Sequence, residues 1–115
     1  MVDAVVEAGT SEESKRTNPV AITATRLSLL GQDAEAYAKA CTALAEATQE
    51  FPLGDFKVDT FIITGSEDKV STPQLCNSFA KRLGSGKSVE VLDGVGHWHV
   101  FENLPKVAKT VQDLL

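Results

Sequence analysis

The sequence contains no cluster of positive charge longer than two residues, and its net charge is −5, from 11 basic and 16 acidic side chains among 115 residues. The longest basic runs are Lys15-Arg16 and Lys81-Arg82. Proteins that bind nucleic acid or an anionic membrane surface carry basic patches, because both ligands are polyanions. The sequence therefore predicts neither a nucleic-acid partner nor a membrane partner.

The sequence also lacks a long hydrophobic run. A helix needs about 20 predominantly apolar residues to span a bilayer, and no segment of this chain approaches that length. The first residues, Met1-Val2-Asp3, lead into acidic sequence, whereas an export signal has a basic segment followed by an apolar one. We therefore expect an unexported, cytoplasmic protein.

Cysteine is scarce. The two cysteines, Cys41 and Cys76, are too few for a disulfide framework and lack the paired spacing of a zinc site. We expect both to be small, buried apolar residues in a reducing compartment.

The signals for a metal or a cofactor are weak. His97 and His99 have the spacing of a two-histidine ligand pair, but no third ligand is identifiable. Residues 84–88 end like a phosphate-binding loop, yet position 81, where the first glycine of that motif belongs, is a lysine. The sequence thus predicts no metal and no cofactor; we interpret Trp98 and His99 as packing residues and residues 84–88 as a turn.

The composition, with 43% hydrophobic and 23% charged residues, is that of a small globular domain. The first half predicts helices. Residues 2–8 have apolar side chains at helical spacing, while residues 9–16 are polar and fit either a fraying helix or a loop. Asn18-Pro19 supplies a cap and a first-turn proline for a helix that ends at Gly31. Asp33 caps a third helix that runs to about Gln49, with a stripe at core spacing formed by Tyr37, Cys41 and Leu44.

The sequence pattern of the second half predicts four elements in the order strand, helix, strand, helix. Residues 58–65 and 88–92 are short apolar runs typical of strands. Thr72-Pro73 opens the helix between them, which Gly84 closes. A connection of this kind joins parallel strands through a right-handed crossover, so we expect an α/β fold. The inward faces are predicted to be Leu75, Cys76, Phe79 and Leu83 in the first helix, and Phe101, Leu104, Val107, Val111 and Leu114 in the last.

Two polar loops follow the two predicted strands. Asp68 lies in the loop after the first strand and His97 in the loop after the second. Because the carboxyl ends of parallel strands meet at one edge of the sheet, these side chains are expected to meet. A carboxylate that accepts a hydrogen bond from an imidazole fixes the tautomer of the ring and stabilises its protonated form, as a general base beside a nucleophilic serine requires.

The segment from Phe61-Ile62-Ile63-Thr64-Gly65 through Asp68 to Thr72-Pro73, with Gly94-Val95-Gly96-His97-Trp98 and the helix after it, resembles the C-terminal end of an α/β-hydrolase. The resemblance covers residues 57–115 and implies that Asp68 is the acid and His97 the base of a catalytic triad. Glu67 fits the position of the acid less well than Asp68. By the same resemblance, residues 1–52 are a helical cap or lid and residues 53–115 the C-terminal portion of the α/β-hydrolase core.

The 115 residues contain no G-x-S-x-G segment, the elbow that presents the serine in this fold. We therefore expect a truncated α/β-hydrolase-like protein that is inactive as this chain alone. The parent activity implied by the resemblance is hydrolysis of carboxylic esters or lactones, with a small-molecule ester or lactone as substrate if the missing core is supplied.

An alternative is a non-catalytic interaction module. A central strand that lacks its neighbour exposes unpaired backbone amides along an apolar strip and pairs readily with another chain. That interpretation, and the small size of the core, predict self-association.

Overall fold

The computed structural model describes residues 1–83 and 89–113, and the first half of the chain is helical as predicted. Its helices are α1 (Val2–Gly9), α2 (Glu12–Thr17), α3 (Pro19–Leu30) and α4 (Ala34–Glu46). The polar stretch that fitted helix or loop contains α2, because the hydroxyl of Ser11 accepts from the amide of Ser14 at 3.0 Å and caps the helix. The carbonyl oxygen of the Asn18 side chain caps α3 in the same way.

The second half forms a two-stranded parallel sheet, which confirms the α/β fold class. A 3₁₀ turn (Leu53–Asp55) precedes β1 (Ile62–Gly65); α5 (Pro73–Arg82) then crosses to β2 (Val89–Leu92). The register pairs Ile62 with Val89 and Gly65 with Leu92. The hydroxyl of Thr72 accepts from the amide of Leu75 and caps α5 at the predicted residue. The predicted turn over residues 84–88 lies outside the described residues.

Two elements of the structure differ in length from their predictions. Residues 58–61 are not part of β1, which begins at Ile62, and Val58 is 72% exposed. The final helix is not continuous but consists of α6 (His99–Glu102) and α7 (Leu104–Gln112). The side chain of Asn103 accepts from the amide of Lys106 at 3.2 Å and so starts a new helix, with Pro105 in its first turn.

The core is small and draws on both halves of the chain. Helices α1, α2 and α6 pack on α3, while α5 packs on both strands. The side chain of Thr25 in α3 is also fully buried. The buried apolar residues are Val6, Ala21, Leu29, Cys76, Leu92 and Val95.

The apolar stripe predicted on α4 does not pack in the core. Tyr37 is half-buried beside a small apolar cavity, but Cys41 and Leu44 are exposed. The prediction that Cys41 is buried was therefore wrong, because no part of the described chain covers that face of α4. Burial of Cys76 is confirmed.

Helix α5 is covered only in part. Its predicted inward face is buried at Cys76, yet Leu75 and Phe79 remain 42% and 37% exposed. A sheet of two strands is too narrow to cover the whole face of a ten-residue helix, so apolar surface remains open. In residues 1–83 and 89–113, no helix combines the length and the apolar character needed to cross a membrane.

Candidate functional site

The loops that follow β1 and β2 lie against each other at the C-terminal ends of the strands. The amide of Ser66 donates to the carbonyl of Leu92, and the amide of Glu67 donates to the carbonyl of Val95, each at 2.9 Å. A side chain on Gly65 would overlap the backbone carbonyl of Val95, so only glycine allows this approach. The parallel pair therefore brings the two polar loops into direct contact, as the sequence predicts.

Asp68 and His97 meet in this contact. Nδ1 of His97 lies 3.0 Å from Oδ2 and 3.2 Å from Oδ1 of Asp68. Oδ1 also accepts from the backbone amides of Val70 and Ser71, both at 2.8 Å. Asp68 is 4% exposed as a residue, and its carboxylate is held by the ring of His97 and by these two backbone amides.

The surroundings of Asp68 favour its ionised form. Burial alone raises the pKa of the carboxyl, but the hydrogen bonds from His97, Ser71 and Val70 outweigh it and hold the pKa below the ordinary value. An ionised carboxylate only accepts hydrogen bonds, so we assign the proton of the neutral imidazole to Nδ1. Nε2 then carries a lone pair.

The imidazole of His97 remains accessible on its other side. Its side chain is 37% exposed, and none of the residues in the described ranges makes a hydrogen bond to Nε2. The imidazole of His97 thus has a buried carboxylate at Nδ1 and an open Nε2. An imidazole in this state can accept a proton from a hydroxyl group placed at Nε2.

The neighbouring candidates make other contacts. The carboxylate of Glu67 accepts from the amide of Glu12 at 2.9 Å and is not bonded to His97. The ring of His99 donates to the backbone carbonyl of His97 at 3.2 Å, and Trp98 stacks on Phe101 with ring centroids 6.2 Å apart. No group of three His, Cys, Asp or Glu side chains suited to a metal ion is found in residues 1–83 and 89–113.

No serine of the described chain is hydrogen-bonded to His97. The hydroxyl of Ser66 accepts from the amide of Gly94 at 2.9 Å, and that of Ser11 caps α2. Within the described residues, the structure thus brings Asp68 and His97 together but places no serine hydroxyl at the imidazole.

Glu102 was not among the residues predicted from the sequence. This carboxylate is 7% exposed and accepts from backbone amides on both sides of the histidine, those of Gly96 and Trp98. The local signal is faint: Glu102 is the single acidic residue between Asp93 and Asp113.

The sequence matches no protein-family model and no curated protein. The structure, in contrast, resembles two solved enzymes. A thermophilic esterase from Thermogutta terrifontis, solved with malate bound, superposes with a TM-score of 0.87 at 21% identity over 98% of this chain. Est816, an N-acyl homoserine lactone degrading enzyme, superposes with a TM-score of 0.81 at 19% identity over 97% of this chain.

The match covers only 42% of the esterase chain and 45% of the Est816 chain. This chain therefore spans less than half the length of either structure. At these identities the likeness concerns the fold, and it agrees with the two-stranded parallel sheet and its flanking helices. The described residues form part of an α/β-hydrolase fold.

Proposed function

We propose that Asp68 and His97 are the acid and the base of a serine hydrolase triad, and that this chain acts as part of an α/β-hydrolase that cleaves carboxylic esters or lactones. The observation that carries the proposal is the 3.0 Å contact between Nδ1 of His97 and the buried carboxylate of Asp68. It lies at the edge of the sheet where open α/β folds collect functional groups.

The geometry supports a specific division of roles. Asp68 holds the imidazole in the Nδ1-protonated tautomer and stabilises the imidazolium that forms when Nε2 takes the serine proton. The serine oxygen then attacks the carbonyl carbon, and the alcohol leaves with the proton returned by His97. Water next adds to the acyl-enzyme, with Nε2 as general base, and releases the acid and the free serine.

The serine is proposed to come from polypeptide outside these 115 residues, either in a longer chain or in a second one. The sequence contains no G-x-S-x-G segment, and in this fold the oxyanion-hole amides lie beside that serine and near the third strand. The substrate class rests on the two neighbours, one an esterase and the other a lactone degrading enzyme.

A chimaera tests the proposal. The segment of the Thermogutta terrifontis esterase that matches this chain is replaced by residues 1–115, and hydrolysis of p-nitrophenyl acetate is measured together with cooperative unfolding. We expect an active chimaera that loses about a thousandfold or more in rate with His97→Ala or Asp68→Asn. His99→Ala is the matched control, because that imidazole contacts a backbone carbonyl and not Asp68.

Two outcomes would overturn the proposal. One is a chimaera that unfolds cooperatively but does not hydrolyse the ester. The other is an active chimaera in which His97→Ala changes the rate no more than His99→Ala does.

The second candidate, a non-catalytic interaction module, is favoured by exposed apolar surface beside β1. Val58 and Phe56 are 72% and 57% exposed, and β1 pairs on one side only within the part of the chain that the structure describes. In this case the chimaera would be inactive, and the isolated chain would bind a partner regardless of substitutions at His97.

A further inference from the structure

A second buried carboxylate lies behind the loop that carries His97 (residues 93–98, between β2 and α6), here called the histidine loop. Oε2 of Glu102 accepts from the amide of Ser11 at 2.9 Å and from that of Gly96 at 3.1 Å. Oε1 accepts from the amides of Gly96 and Trp98, both at 3.2 Å. One carboxylate thus binds three backbone amides from two segments that are 85 or more positions apart in sequence.

The amide of His97, which lies between those of Gly96 and Trp98, is also hydrogen-bonded. The amide of His97 donates to the carbonyl of Gly9 at 2.7 Å. All three consecutive amides, from Gly96 to Trp98, therefore have partners, and Glu102 supplies two of them. The space around Gly96 is also too small for a side chain, since a Cβ there would lie 2.6 Å from the carbonyl oxygen of Gly9 and 2.9 Å from Oε1 of Glu102.

We propose that Glu102 is a positioning residue for His97: it fixes the backbone on both sides of the histidine and so holds the imidazole against Asp68. The significance of this role for catalysis rests on the proposed function, but the role itself is a property of the chain alone.

Capping of α6 explains only one of these contacts. Trp98 is the N-cap residue of α6, and a carboxylate that reaches back to the N-cap amide is a common capping contact. The amides of Gly96 and Ser11 lie outside α6 and its cap, so the bonds from them to Glu102 do more than start that helix. The backbone carbonyl of Glu102 accepts from the side chain of Asn18 at 3.2 Å, which ties the same residue to the beginning of α3. Glu102 thus lies between the helical half and the histidine loop.

The test measures the imidazole directly in the full 115-residue chain. NMR of protein labelled with ¹⁵N-histidine reports the tautomer of His97 and the exchange rate of its Nδ1 proton, with His99→Ala used to assign the signals. We expect a protected Nδ1 proton in the parent chain and its loss in Asp68→Asn. In Glu102→Gln, which keeps one acceptor oxygen, exchange of that proton should be about tenfold faster or more, as expected when a hydrogen bond is loosened.

Asn103→Ala is the matched control. It removes the cap of the neighbouring helix α7 and lowers stability, but it touches none of the three amides. The proposal therefore expects faster exchange in Glu102→Gln than in Asn103→Ala at equal global stability. Equal exchange rates in the two variants would overturn it.

The outcome is separable from that of the proposed function. A chimaera without ester hydrolysis would remove the triad role and leave the NMR result standing. An Nδ1 proton unaffected by Glu102→Gln would remove the positioning role while the chimaera could still be active.

Discussion

The backbone amide of His97 donates to the carbonyl oxygen of Gly9 at 2.7 Å, across a separation of 88 positions in sequence. Gly9 is the last residue of α1 and is buried, and a Cβ there would lie 2.6 Å from Nε1 of Trp98. The C-terminal end of α1 therefore packs against the backbone of His97 and the side chain of Trp98 and supports them. The proposed cap, residues 1–52, and the proposed core, residues 53–115, share this contact.

The first prediction concerns the contact between the two loops. Gly65→Ala should lower the free energy of unfolding by about 3 kcal/mol, because the new Cβ would overlap the carbonyl of Val95. Gly54→Ala is the matched control: its nearest contact would be the carbonyl oxygen of Arg82 at 3.8 Å, so we expect a change within about 0.5 kcal/mol. Urea denaturation measures both, and equal stabilities would contradict the loop geometry.

The second prediction concerns the pH dependence of stability. The pKa of Asp68 is lower in the folded chain than its ordinary value of 3.8, so the ionised carboxylate stabilises the fold above that value and this contribution is lost as the pH falls through the lowered pKa. Asp68→Asn should cost about 2 kcal/mol at pH 7, where the charged hydrogen bonds are lost.

Denaturation at pH 7 and near pH 3 checks this prediction. The difference between the parent chain and Asp68→Asn should shrink at the lower pH. Asp55→Asn, which changes an exposed carboxylate of the 3₁₀ turn, serves as the control for general charge effects. A difference that grows towards acid pH would contradict the sign of the pKa shift.

Local features of the fold were predictable from the sequence. The cap residues Asn18 and Thr72, each followed by proline, set the starts of α3 and α5, because a side-chain oxygen bonds to an amide only three positions away. The meeting of Asp68 and His97 was predictable as well, since parallel strands with one crossover bring their following loops together. Their catalytic role stays a prediction.

Features that depend on distant contacts were not predictable. Glu102 binds the amide of Ser11 across 91 positions, and no local pattern records such a bond. The strand was predicted too long because an apolar run does not by itself show where strand pairing begins: β1 is only Ile62–Gly65. The apolar spacing of α4 suggested burial of Cys41, but spacing alone does not supply a neighbouring surface.

The third prediction is that the purified 115-residue chain hydrolyses p-nitrophenyl acetate no faster than its His97→Ala variant. No serine in the described part of the chain is bonded to His97, and the sequence has no nucleophile elbow to position one with an oxyanion hole. A reproducible difference between the two, abolished by a serine reagent, would show that one of the chain's own serines acts as nucleophile.

The fourth prediction is that the isolated chain self-associates as its concentration rises. The exposed apolar side chains beside β1 favour association, as an open strand edge does. Size-exclusion chromatography with light scattering should show dimers or larger species in the parent chain. Val58→Lys should shift them towards monomer, and Val20→Lys, on an equally exposed residue of α3, should not. A monomer at all concentrations would contradict this prediction.

His97 is proposed to activate a serine that lies outside these 115 residues. Fluorophosphonate labelling measures this most directly, applied to the native assembly recovered from its own cells through a tag on this sequence. We expect a labelled serine in a G-x-S-x-G segment, in the same chain or an associated one, and loss of labelling with His97→Ala but not with His99→Ala. Two results would contradict this role of His97: an assembly that takes no label, or a His97→Ala variant that is labelled as fast as the parent.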